Sequence, residues 1–132
     1  MKLIHCADLH LDAKMSANLD KESAKIRRGE ILHTFERMVS YAVENEVEAI
    51  LIAGDLFDTK NISATARNTV LHAITEHPQI RFYYLKGNHD KDNFLIGLET
   101  VPENLKLFTD AWTTYEEAEG RITISGIELS AS

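Results

Sequence analysis

Three apolar, strand-like runs in this chain each end on a short polar cluster. Residues 2–7 lead into Asp8-Leu9-His10, residues 47–53 into Gly54-Asp55, and residues 80–85 into Gly87-Asn88-His89-Asp90. Helical stretches separate the runs, and a strand–helix–strand unit closes as a right-handed crossover with its two strands parallel. The expected fold class is therefore α/β, a parallel βαβαβ core. In such open sheets ligands collect outside the carboxyl ends of the strands, so the three clusters should converge there. Carboxylate, imidazole and side-chain amide would meet at one place. That is a ligand set for hard or borderline divalent metals, and it points to metal-assisted hydrolysis.

The intervening segments carry the matching periodicities. From about residue 21 to 45, Ile31, Phe35, Met38 and Ala42 follow 4, 3, 4 spacing, and Leu32, Val39 and Val43 widen the stripe, which predicts a core-facing helix. Arg28, Glu30, Arg37 and Glu44 then form its solvated side. A second helix opens at Ser63, a good N-cap residue, carries Ala66, Val70, Leu71 and Ile74, and ends before Pro78. After Asp90 the pattern becomes more β-like. A brief helix is expected over 94–98, a strand over 105–108, and an antiparallel pair over 112–115 and 122–129 that turns at Glu119-Gly120.

Composition narrows the class further. The chain has 132 residues, 44% of them hydrophobic, which suits one globular unit. Its longest apolar run, Ala49–Ala53, is far below the roughly 18 residues that suggest a membrane span, and no signal peptide is readable, so the expected setting is cytoplasmic, with no membrane partner. Cys6 is the single cysteine, which leaves no internal disulfide and no thiolate zinc cluster; it reads as a buried small hydrophobe. A net charge of −7 opposes phosphate binding, but residues 1–98 are nearly balanced at −2 and residues 99–132 carry −5. Bound dications would reverse the local sign near the clusters.

Each cluster alone is a common surface turn; their recurrence at strand ends gives them weight. Asp8 and His10 stand two apart, so an extended segment would put both on one side to chelate an ion. Gly54 permits a sharp turn that brings Asp55 to the sheet edge. Asn88 offers a carbonyl oxygen, His89 can exchange a proton beside it, and Asp90 can fix the imidazole tautomer. His33, His72 and His77 lie on presumed helices and read as surface or packed residues, His5 as facing inward or toward a helix, and Trp112 as core.

These motifs, in order and approximate spacing, resemble the first three motifs of the calcineurin-like metallophosphoesterases. Asp8-Leu9-His10-Leu11-Asp12, Gly54-Asp55-Leu56-Phe57-Asp58 and Arg27-Arg28 before Phe35-Glu36-Arg37 look most like the SbcD-type exonucleases of DNA double-strand-break repair. The resemblance implies that Asp8 and His10 bind one metal, Asp55 bridges two, Asn88 binds the second, and His89, oriented by Asp90, is the catalytic imidazole. It implies two divalent ions, manganese first among them, with iron, zinc or magnesium also accepted. It further implies DNA as substrate and an SbcC-like ATPase as partner of the full-length protein. Family members take three further metal-binding histidines from later motifs, whereas this chain has no histidine after His89. The reading is thus residues 1–132 as the amino-terminal portion of a metallophosphoesterase domain, with a weak or empty second site and little activity alone. An unpaired β region at its carboxyl end would invite self-association. Two other readings are a phosphoesterase of the same fold acting on nucleotides or phosphoproteins, and a non-catalytic scaffold that keeps the fold.

Overall fold

A computed structural model of the chain describes residues 1–11, 20–57, 63–86, 98 and 100–129. Its elements are β1 (Leu3–Cys6), α1 (Lys21–Glu44), β2 (Ala49–Ala53), α2 (Ala64–Thr75), β3 (Arg81–Leu85), β4 (Leu105–Leu107), β5 (Thr113–Glu117) and β6 (Ile122–Gly126). The first four strands form one parallel sheet in the order β1-β2-β3-β4, and β5 and β6 form a separate antiparallel pair. The expected α/β core is present, and the strand expected over 105–108 joins it as a fourth parallel member.

Both helices begin and end where local chemistry dictates. The Asp20 carboxylate accepts from the Ser23 N–H and the Ser63 hydroxyl from the Ala66 N–H, each satisfying a first-turn donor that has no helical partner. Helix α1 stops at a left-handed Glu46 (φ 56°), where Val47 N–H reaches back to the Ala42 carbonyl at 2.8 Å and Glu46 N–H to that of Val43. The chain leaves that turn directly into β2.

One sheet face is covered by the helices. Ile50, Ile52, Phe82, Tyr84 and Leu105 point into a cluster with Phe35, Val39 and Ala42 of α1 and Ala66, Val70 and Ile74 of α2. Phe35 and Phe82 are fully buried, and truncating either to alanine would cost about 3–5 kcal/mol. The stripe read from the sequence is therefore the packed one, except that Val43 is exposed. The opposite face receives the β5–β6 hairpin over β3 and β4: Tyr115 packs edge to face on both Tyr83 and Phe108, and its hydroxyl donates to the Leu107 carbonyl at 2.6 Å.

Several expectations are corrected. Trp112 is 72% exposed, because the hairpin docks through Tyr115 and Ile124 and leaves the preceding residue outside. His5 is exposed, since it lies on the sheet face opposite the helices, on the edge strand β1. Cys6 is half-buried against the helix-side core, and burial raises its thiol pKa. His77 follows α2 instead of lying on it. The brief helix expected over 94–98 lies, apart from Leu98, outside the described residues.

Candidate metal centre

The carboxyl ends of β1 and β2 lie side by side, with Cys6 paired to Ile52. The two segments that leave them stay joined: Asp8 N–H donates to the Gly54 carbonyl at 3.2 Å, His10 N–H to that of Asp55 at 2.9 Å and Leu11 N–H to that of Leu56 at 2.8 Å. Buried Leu11, Leu56 and Phe57 anchor the far end of this ribbon in the core. Polar residues therefore lie on backbone that is hydrogen-bonded on both sides of the gap.

The conformation along the ribbon is unusual. Asp8, His10 and Asp55 have φ of 55°, 46° and 50°, and Gly54 has 83°. Left-handed backbone is rare for residues with a Cβ, though aspartate and histidine are enriched among the exceptions. Residues held there cost of order 1–3 kcal/mol each and persist where the surroundings over-determine them, commonly at functional sites. The sequence reading of Asp8 and His10 as alternate residues on an extended segment is thus corrected: their side chains meet through left-handed turns.

The outcome is a cluster in which one ligating atom from each of Asp8, His10 and Asp55 lies within 4.8 Å of the others. His10 Nε2 stands 3.8 Å from Asp8 Oδ1. Atoms that share one ion at about 2.1 Å sit roughly 3–4.2 Å apart, so small side-chain rotations close this set on a cation. Two carboxylates and an imidazole suit manganese, iron, zinc or magnesium. Asp8 is exposed while His10 and Asp55 are half-buried, which leaves one side of the cluster open to an arriving ion or phosphate. Of the six residues expected at the site, Asp8, His10 and Asp55 are brought together; Asn88, His89 and Asp90 lie outside the described residues.

A second polar cluster escaped the sequence reading. Glu117 is buried under the hairpin, where Arg81 Nε donates to Oε1 at 2.9 Å and Nη2 to Oε2, and the Tyr83 hydroxyl also donates to Oε1. Bonding to Arg81 is the main cause holding the Glu117 carboxyl below its usual range, and burial is the main cause raising the Tyr83 phenol. A glutamate at the inward alternate position after Tyr115 was the available signal. These bonds pin β5 to β3 and have a structural role.

Comparison with known proteins is consistent with this geometry. The family model for calcineurin-like phosphoesterases matches residues 1–129. A DNA double-strand break repair protein Mre11 of Sulfolobus acidocaldarius is 33% identical across 98% of this chain and 32% of its own length. The SbcD component of the SbcCD nuclease of Bacillus subtilis is 29% identical across 72% of this chain and 23% of its own. The chain thus spans about a third or less of these relatives. Among solved structures, the Pseudomonas putida nuclease MPE superposes with a TM-score of 0.51 at 18% identity, over 84% of this chain and 49% of that one, a likeness of fold.

Proposed function

The chain belongs to the calcineurin-like phosphoesterase family, and from that premise we propose that it supplies the first metal site of a phosphodiester hydrolase of the DNA nuclease type. The observation that carries this reading is the convergence of Asp8, His10 and Asp55 at the ends of two adjacent parallel strands. Similarity to Mre11 and to the SbcCD nuclease supports the choice of nuclease over phosphatase. Asp8, His10 and Asp55 would hold one ion, and Asp55 with Asn88 would hold a second; His89, with Asp90 to orient it, would serve the scissile phosphate. Divalent ions, manganese first, would polarise the phosphoryl group and acidify water for in-line attack.

The protein's own residues do the positioning. The left-handed ribbon and its cross-strand hydrogen bonds hold the Asp8, His10 and Asp55 backbone in place before an ion arrives. Two carboxylates crowded together favour a dication and, without one, repel a phosphate. DNA and an SbcC-like ATPase partner belong to this reading, as does a cytoplasmic setting; among the described residues no helix is long and apolar enough to cross a membrane. Residues 1–132 hold three protein ligands for the first ion and two for the second, so this stretch by itself should bind the second ion weakly and turn over slowly. Self-association through the carboxyl-terminal β region is part of the same proposal, and light scattering at high concentration checks it.

The test is manganese-dependent cleavage of duplex DNA, a cyclic nucleotide and a phosphoserine peptide by the full-length protein that contains this chain. Preferential DNA cleavage supports the reading. Preference for either small substrate transfers the site to another phosphoesterase, and no hydrolysis of any, with the ion shown to be bound, favours a scaffold.

A further inference from the structure

Helix α1 is longer than the sheet on which it packs. Its 24 residues span about 36 Å at 1.5 Å each, whereas a five-residue strand covers only about 17 Å. Its carboxyl end is fixed at the amino-terminal edge of the sheet, where Lys2 Nζ donates to the Asn45 carbonyl at 3.1 Å and Glu48 N–H to that of Lys2. Ile31 and Leu32 still pack on the core, and the turns before them extend past the strand ends on the side of the edge that bears Asp8, His10 and Asp55.

Along that length one helical face changes character. Residues seven apart lie nearly in line on a helix, about 20° off per step. Lys21, Arg28, Phe35 and Ala42 form one such row, and Lys25, Leu32 and Val39 the row beside it. Over the sheet the rows are apolar and buried at Phe35, Val39 and Ala42; nearer the amino terminus they carry exposed Lys21 and Lys25 and half-buried Arg28, on either side of Ala24, which stays buried. Cations thus flank the covered line of the helix on the site's side of the molecule. Arg27, off these rows, is held by Glu30 at 3.6 Å, while Lys21, Lys25 and Arg28 make no ion pair among the described residues. Four cations and one acid within residues 21–28 also stand out in a chain of net charge −7.

We propose that Lys21, Lys25 and Arg28 form a phosphate-backbone contact that lays a nucleic acid across the sheet edge toward the Asp8–His10–Asp55 cluster. The proposal rests on the reading of that cluster as a phosphodiester site and adds a polymer-binding surface to it. A mononucleotide has too few phosphates to engage three cations spread over two helical turns; a duplex, with one charge per roughly 1.7 Å of axis, does so readily. The contact is independent of base sequence, as backbone contacts are.

The experiment measures binding of a fluorescein-labelled 30-base-pair duplex to the full-length protein by anisotropy, from 50 to 250 mM salt, with the metal chelated so that no cleavage intervenes. In a Lys21→Gln/Lys25→Gln/Arg28→Gln variant the slope of log affinity against log salt should fall by about 2–3. An Arg27→Gln/Arg37→Gln variant, which removes exposed charges from other faces of the same helix, should change it by less than one. Circular dichroism verifies folding, and the single Lys21→Gln variant, expected to lower the slope by roughly one, serves if the triple variant unfolds. Equal loss per charge in both sets overturns the proposal in favour of a general charge effect, and an unchanged slope in the triple variant overturns it outright. Failure of the site reading looks different: the parent protein binds the duplex with the expected slope yet hydrolyses no phosphodiester when manganese is restored. Binding of an acidic protein instead, with no affinity for the duplex, assigns the stripe to another class of partner and overturns the proposal.

Discussion

The backbone N–H of His10 donates to the carbonyl of Asp55 at 2.9 Å, so the histidine and the carboxylate proposed to share an ion are joined through main chain before any ion binds. This bond and those of Asp8 to Gly54 and Leu11 to Leu56 extend the β1–β2 pairing past the strands proper. The chemistry is therefore located by backbone, and single side chains can be altered without moving it.

Substituting Asp55→Asn should leave the fold intact and weaken manganese binding at least tenfold, measured by titration calorimetry. Asparagine tolerates the left-handed φ of 50° as well as aspartate does and nearly keeps its volume, so the loss would report the missing charge. Unchanged affinity would remove Asp55 from the metal site.

Removing the buried carboxylate with Glu117→Ala should lower stability by about 2–4 kcal/mol at pH 7, because Arg81 and Tyr83 are left without their acceptor. The Glu117 carboxyl is held below its usual value, so its contribution is full above the unfolded value of about 4.3 and fades as pH falls through the lower folded one. Urea unfolding at pH 7 and at pH 3 should show the gap between variant and parent narrowing in acid.

The hairpin's docking can be probed at Gly126. A Cβ added there would lie 2.7 Å from Phe108 Cδ1, a ring atom packed under β6, so Gly126→Ala should destabilise by about 1–3 kcal/mol through overpacking. A thermal melt unchanged within a degree would place the hairpin elsewhere.

Asn104 joins the end of α2 to the start of β3, its amide nitrogen reaching the carbonyls of Ile74, His77 and Ile80 at 2.8, 3.1 and 3.0 Å. Asn104→Ala removes this tie and should cost about 2 kcal/mol in denaturant unfolding. Asn104→Asp should be worse, since a carboxylate faces the same carbonyls without a proton to donate.

Periodicity and residue type were enough to locate the parallel core, the start of α2 at Ser63 and the packed stripe of α1, because helix and strand spacing and capping act over a few neighbouring residues. Recurrence of polar clusters at strand ends also picked out Asp8, His10 and Asp55, since parallel topology brings such ends to one edge. How those side chains converge was decided by tertiary structure: the left-handed backbone depends on hydrogen bonds between segments some 45 residues apart, which no local pattern encodes. The same holds for the Glu117–Arg81–Tyr83 cluster and for exposed Trp112. Which face of a short hairpin docks is set by the aromatic surface waiting on another sheet, and that surface exists only once the chain has folded.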